Sequence, residues 1–156
     1  MTMKRLAFYA VGFACLALGI ATPGWAEETR CLSISGAIAG SIVGPTSVLG
    51  TVTGSLQGAT QATITKQEKG EDRVDLELKH IFVTKSRDTL QTRDKALWIP
   101  IPGRTGVYHM STQYKVTGGT GRFAEATGTF KNHGEADTHR GLVTLAYSGQ
   151  ICGVAP

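Results

Sequence analysis

The stretch VTGGTGRFAEATG, Val116 to Gly128, decides how the rest of the chain is read. Its glycines invite comparison with a phosphate-gripping dinucleotide loop. Such a loop needs a buried strand before it, a helix after it, and a second parallel strand. The preceding segment, VYHMSTQYKV, alternates instead: Tyr108, Met110, Thr112, Tyr114 and Val116 fall on one face, and His109, Ser111, Gln113 and Lys115 on the other. A strand of period two has one wet face. The following RFAEATGTF reads poorly as a helix, and too little chain remains for further strand–helix units. The stretch is therefore expected to be a structural hairpin. Gly118, Gly119 and Gly121 are expected to supply positive φ, and Phe123 to fold back over the end of a sheet.

The same period runs outward in both directions. In RVDLELKHIFVT, Val74, Leu76, Leu78, His80 and Phe82 oppose Asp75, Glu77 and Lys79. In LVTLAYSGQI, Val143, Leu145, Tyr147 and Ile151 share a face. CLSISGAIAGSIV, ATQATITKQ, DTLQTRDKALWI and FAEATGTFKNH are weaker strand candidates. Turn signals separate them: VGPTS, EKGED, KSRD, PIPGRTG and HGEADTHRG. The pattern predicts an all-β domain of seven or eight antiparallel strands, closed as a barrel or stacked as a sandwich. VTGSLQGATQATI from Val52 echoes VTGGTGRFAEATGTF from Val116, which suggests two similar hairpins.

Residues 1–26 have the layout of a secretory signal peptide. Lys4 and Arg5 precede an apolar run from Leu6 to Ile20, then Pro23, Gly24 and Ala26. Cleavage is expected after Ala26, leaving one domain over residues 27–156 that is periplasmic or secreted, with no membrane-spanning helix. Cys15 sits inside the apolar run behind Phe13, a poor context for lipid attachment. Removing Lys4 and Arg5 from 16 Lys+Arg leaves 14, against 12 Asp+Glu, a net charge of +2. So small and scattered an excess argues against nucleic acid as a partner. Cys31 and Cys152, at opposite ends of the exported domain, are expected to pair, since two cysteines alone do not make a structural zinc site.

GGTGRFAEATG, preceded by DTL and followed by GQICG, resembles small exported bacterial β-barrel proteins similar to the allene oxide cyclases and dirigent proteins of plants. The resemblance spans about His80 to Gly153 and is specific mainly at the hairpin. It implies a single antiparallel barrel of about eight strands with a central cavity, and often a homotrimer. No catalytic carboxylate, arginine or cysteine of the plant enzymes matches a position here.

Parity nominates the site. His80 interrupts an apolar face, where it can be an acid–base group, a ligand anchor, or a core histidine satisfied by a neighbour. Tyr108, Tyr114 and Tyr147 share inward faces and can line a cavity with apolar bodies and polar tips. Glu125 has the parity of Phe123 and Thr127, so it is a further cavity candidate. His133, Glu135, Asp137 and His139 are evenly spaced, which would suit a metal on one face, but Gly134, Asp137 and Gly141 read as a solvated turn; no metal and no cofactor is expected. Three functions stay open: a barrel binding a small, largely apolar ligand; a cofactor-free cyclase, isomerase or dirigent-type enzyme; and an outer-membrane barrel. The last needs aromatic girdles, and residues 27–156 hold only seven aromatics.

Overall fold

The computed structural model describes residues 30–156. The expected signal peptide and its cleavage site lie outside the described residues. Eight strands, β1 (Cys31–Gly44), β2 (Ser47–Val52), β3 (Gly58–Lys69), β4 (Val74–Thr84), β5 (Thr89–Pro100), β6 (Val107–Gly119), β7 (Thr127–Asp137) and β8 (Leu142–Cys152), follow in order. Each pairs antiparallel with the next, and β8 returns to β1, so the sheet closes into a barrel. Closure settles the choice between barrel and sandwich.

Alternation decides what is inside. In β4, Leu76, Leu78, His80 and Phe82 are buried while Glu77, Lys79, Ile81 and Val83 are exposed. The other strands obey the same rule, because a pleated strand turns successive side chains to opposite faces. Ile34, Ile38, Leu78, Phe82, Tyr114, Phe130, Leu145 and Tyr147 meet in one core on the barrel axis. A membrane barrel presents its apolar residues outward. Here the outward faces of β4, β5, β6 and β7 carry Lys79, Arg93, Lys95, Lys115 and Lys131, which breaks any apolar band on that side.

The two ends differ. At one, the connections between β2 and β3 and between β6 and β7 each make one 3-10 turn, Gly54–Leu56 and Gly121–Phe123. The sequence echo is thus a structural one. Thr53 (φ −116°, ψ 167°) and Thr120 (φ −128°, ψ 166°) enter the turns in the same conformation. Each turn then drives one apolar side chain, Leu56 or Phe123, into the barrel end until only 1% of it is exposed. The disulfide between Cys31 and Cys152 lies at this end, joining cross-strand partners of β1 and β8. At the other end, four short connections surround a mouth formed by half-buried Ile42, Val48, Ile64, Val74 and Trp98.

Three local expectations need correction. Ser47–Val52 is a strand that was not expected, because six residues carrying Gly50 show little alternation. Gly134 belongs to β7, and the last hairpin turn occupies only 138–141. Gly118 (φ 112°) and Gly121 (φ 56°) have positive φ, but Gly119 does not. Gly119 is required for space: a Cβ there would lie 1.9 Å from the carbonyl oxygen of Thr89.

Candidate functional site

The inward face of β5 supplies what the sequence reading overlooked. Thr92, Asp94, Ala96 and Trp98 alternate with outward Gln91, Arg93, Lys95 and Leu97. Asp94 is therefore held inside the barrel, its side chain fully shielded from solvent. The β4–β5 register sets His80 opposite Thr92 and Leu78 opposite Asp94. From that diagonal position Asp94 Oδ2 meets His80 Nδ1 at 2.7 Å. A buried carboxylate is costly unless paired and hydrogen-bonded, and the imidazole meets that need. With the carboxylate as acceptor, Nδ1 carries the proton. Nε2 makes no hydrogen bond to any described residue.

A second polar pair lies beside the first. Asn132 of β7 donates from Nδ2 to the hydroxyl of Tyr114 on β6. Burial, followed by the nearby charge of Asp94, raises the Tyr114 phenol above its usual pKa, so it stays protonated. The His80 ring stands edge-on to Tyr114 (5.0 Å between centroids) and stacks on Phe82 (5.6 Å). Tyr114 stacks in turn on Phe130 at 4.3 Å. Around these pairs, Asp94 Oδ1, Asn132 Oδ1, Thr92 Oγ1, Thr112 Oγ1 and Trp98 Nε1 are buried without a protein partner. All five come from β5, β6 and β7. The opposite wall, from β1, β2, β3 and β8, is predominantly aliphatic.

Between the two walls, toward the mouth, lies a cavity of about 30 Å³. His80, Trp98, Met110, Tyr114 and Leu145 contribute to its lining. It has room for a water molecule or two. Pockets that hold drug-sized ligands are at least about ten times larger. Trp98 packs on Tyr108 at the mouth, with ring centroids 5.4 Å apart.

The nominated residues thus separate. His80 and Tyr114 face the cavity. Tyr108 is only half-buried and lies at the rim. Tyr147 is inward, but its hydroxyl is committed at the closed end, accepting from the Leu56 N–H (3.0 Å) and donating to the Thr53 carbonyl (2.9 Å). Gly36 makes this possible, since a Cβ there would sit 2.0 Å from that carbonyl oxygen. Burial raises the Tyr147 pKa.

Glu125 is exposed, not inward. Its parity with Phe123 was misleading because residues 120–126 turn as a 3-10 connection, where period two does not apply. Of the evenly spaced polar residues, Glu135 pairs with Arg104 on the surface, and Asp137 Oδ1 accepts from the backbone N–H groups of His139 and Arg140. No cluster of three potential metal ligands occurs among the described residues, and no helix among them is long and apolar enough to cross a membrane.

Neither a family model nor a curated protein matches the sequence. Among solved structures, that of the pterocarpan synthase dirigent protein GePTS1 aligns over 96% of this chain and 100% of its own, with 14% sequence identity and a TM-score of 0.36. A likeness at that level carries no functional argument. The chain is a closed eight-stranded barrel with a buried His80–Asp94 pair beneath a narrow mouth.

Proposed function

We propose that this is an exported barrel that binds a small, largely apolar molecule through its open end, with one polar atom of the ligand on Nε2 of His80. The observation that carries the reading is the commitment of only one imidazole nitrogen. Nδ1 is held by Asp94, while the ring lines the cavity and Nε2 has no protein partner. A ligand hydroxyl would donate to Nε2 in place of solvent, and Ile38, Val48, Ile64 and Met110 would cover an apolar body. A cavity of about 30 Å³ admits no such molecule with the mouth as it stands. Binding therefore requires Trp98 and Tyr108 to turn outward, which their half-buried positions permit.

Trp98 is the single tryptophan of residues 27–156 and reports on the mouth directly. The test titrates the purified protein with small alicyclic alcohols, whose hydroxyl can donate to Nε2, following tryptophan emission and thermal unfolding. A ligand at about 100 times its Kd adds about 2.7 kcal/mol of stability. Met110→Trp should fill the cavity and abolish binding. If no probe shifts emission or melting, or if Met110→Trp binds as well as the parent, the reading is wrong.

The same pair supports a second reading, cofactor-free cyclisation or isomerisation. An imidazole oriented by a carboxylate, with its other nitrogen free, is suited to proton transfer. Chemical alteration of a bound probe by the parent protein, but not by His80→Gln, would favour catalysis over simple binding.

A further inference from the structure

We propose that the outward face of β4–β7 is a binding groove for an acidic polysaccharide chain, separate from the barrel interior. The β4–β5 and β5–β6 registers set Lys79 opposite Arg93, and Arg93 opposite Lys115. These three exposed cations form one row across three strands. Lys95 and Lys131 lie in the next row, with Gln113 between them. None of the five is in an ion pair among the described residues, where the pairs are Lys66–Glu68, Arg73–Asp75, His80–Asp94 and Arg104–Glu135. Of the two acidic residues along the outer groove, Asp94 is turned into the barrel and Glu77, opposite Lys95, faces outward.

Like charges placed directly opposite on a sheet are destabilising, so this row needs a reason. Protecting a sheet edge is one common use of strand lysines, but a closed barrel has no edge. Solubility is served by interspersed charges of both signs, and Lys79, Arg93 and Lys115 stand in one row with no acidic side chain between them. Residues 31–65 and 141–156 contain no charged side chain at all, so the outer faces of β8, β1, β2 and most of β3 are neutral. Apart from Arg30, the charged side chains of the described residues, of both signs, lie in residues 66–140. There Lys79, Arg93, Lys95 and Lys115 border a shallow groove of about 470 Å³ that also presents Thr65, Gln113 and Thr129.

The form of the surface selects the ligand. Neighbouring strands lie about 4.8 Å apart, so the row spaces positive charge at that interval over roughly 10 Å. A polymer with repeated carboxylates or sulfates can place anions along it, while the hydroxyl and amide groups hydrogen-bond to sugar hydroxyls. Non-specific binding of single-stranded nucleic acid uses aromatic side chains for base stacking, and no aromatic lines this groove. Docking on an anionic membrane uses apolar side chains that enter the interface, and the groove's outward side chains are polar or charged.

Calorimetry on the purified protein tests the idea with four probes: heparin for sulfate, polygalacturonate for carboxylate, vesicles of mixed neutral and anionic phospholipid, and single-stranded DNA. The expected result is saturable binding to one or both glycans, weakened at least about tenfold between roughly 0.05 and 0.5 M salt as screening shortens. Arg93→Gln/Lys115→Gln should lose at least about tenfold in glycan affinity at low salt while keeping the melting temperature of the parent. Lys66→Gln, in the Lys66–Glu68 pair outside the row, should bind as the parent does. The proposal is overturned if neither glycan binds, if the double variant binds as tightly as the parent, or if vesicles or DNA bind more tightly than both glycans. Loss of interior ligand binding would leave this result untouched, because Lys79, Arg93 and Lys115 point outward and none of them lines the cavity.

Discussion

Asp94 holds His80 across two adjacent strands, Oδ2 to Nδ1 at 2.7 Å, and neither side chain is more than 6% exposed. The pair joins the chemistry of the cavity to the stability of the barrel, so a His80 variant is compared with the parent in stability as well as in activity. His80→Phe leaves a buried carboxylate without its partner, which is expected to destabilise by about 3–5 kcal/mol. His80→Phe/Asp94→Leu removes both polar partners and should recover most of that loss. Urea unfolding of the two single variants and the double variant gives the coupling energy. Additive losses would mean that the pair does not form in solution.

The disulfide closes a loop of 121 residues and ties the first strand to the last. In the chain-entropy model its removal costs about 4–5 kcal/mol. Cys31→Ser/Cys152→Ser should therefore unfold at clearly lower urea than the oxidised parent. Peptide mapping without reductant should recover the two cysteines as one linked fragment. Free thiols at both positions in exported protein would refute the bond.

Gly119→Ala should destabilise by about 1–3 kcal/mol, because its Cβ would overlap the Thr89 carbonyl at 1.9 Å. Gly44→Ala is the control. Nothing lies within 4 Å of a Cβ at that position, and its φ is not positive, so a change within about 0.5 kcal/mol is expected. Equal melting temperatures for the two variants would contradict the close approach. Nucleotide binding should be absent from the parent itself, and saturable binding of ATP or NAD would restore the phosphate-loop reading of residues 116–128.

Tyr114 and Tyr147 both have raised pKa values in the fold, chiefly from burial. The unfolded chain releases these protons near pH 10, whereas the folded chain retains them. Above that pH the unfolded state binds fewer protons, so stability should be fully present below about pH 10 and fall as pH rises further. Tyr147→Phe should flatten part of this slope. It should also lower stability at neutral pH by about 1–3 kcal/mol, because the buried Leu56 N–H loses its acceptor. A slope unchanged by Tyr147→Phe would show that this phenol does not titrate late.

Parity in the sequence alone sorted inside from outside. The alternation around Leu78, His80 and Phe82, and around Met110, Tyr114 and Val116, allows only strands with one buried face. A strand's side chains must alternate whatever its neighbours are. The echo between residues 52 and 116 announced two similar hairpins, and Cys31 and Cys152 announced their bond. Sequence could not give register, because parity is preserved when a strand slips by two residues. Only the folded sheet decided that Asp94 reaches His80, that Lys79, Arg93 and Lys115 form one row, and that the Tyr147 hydroxyl meets Leu56 and Thr53. Cavity volume was beyond the sequence for a related reason. The interior is filled by side chains from all eight strands, and the space left near Trp98 is a small difference between large volumes set by how those strands tilt and close.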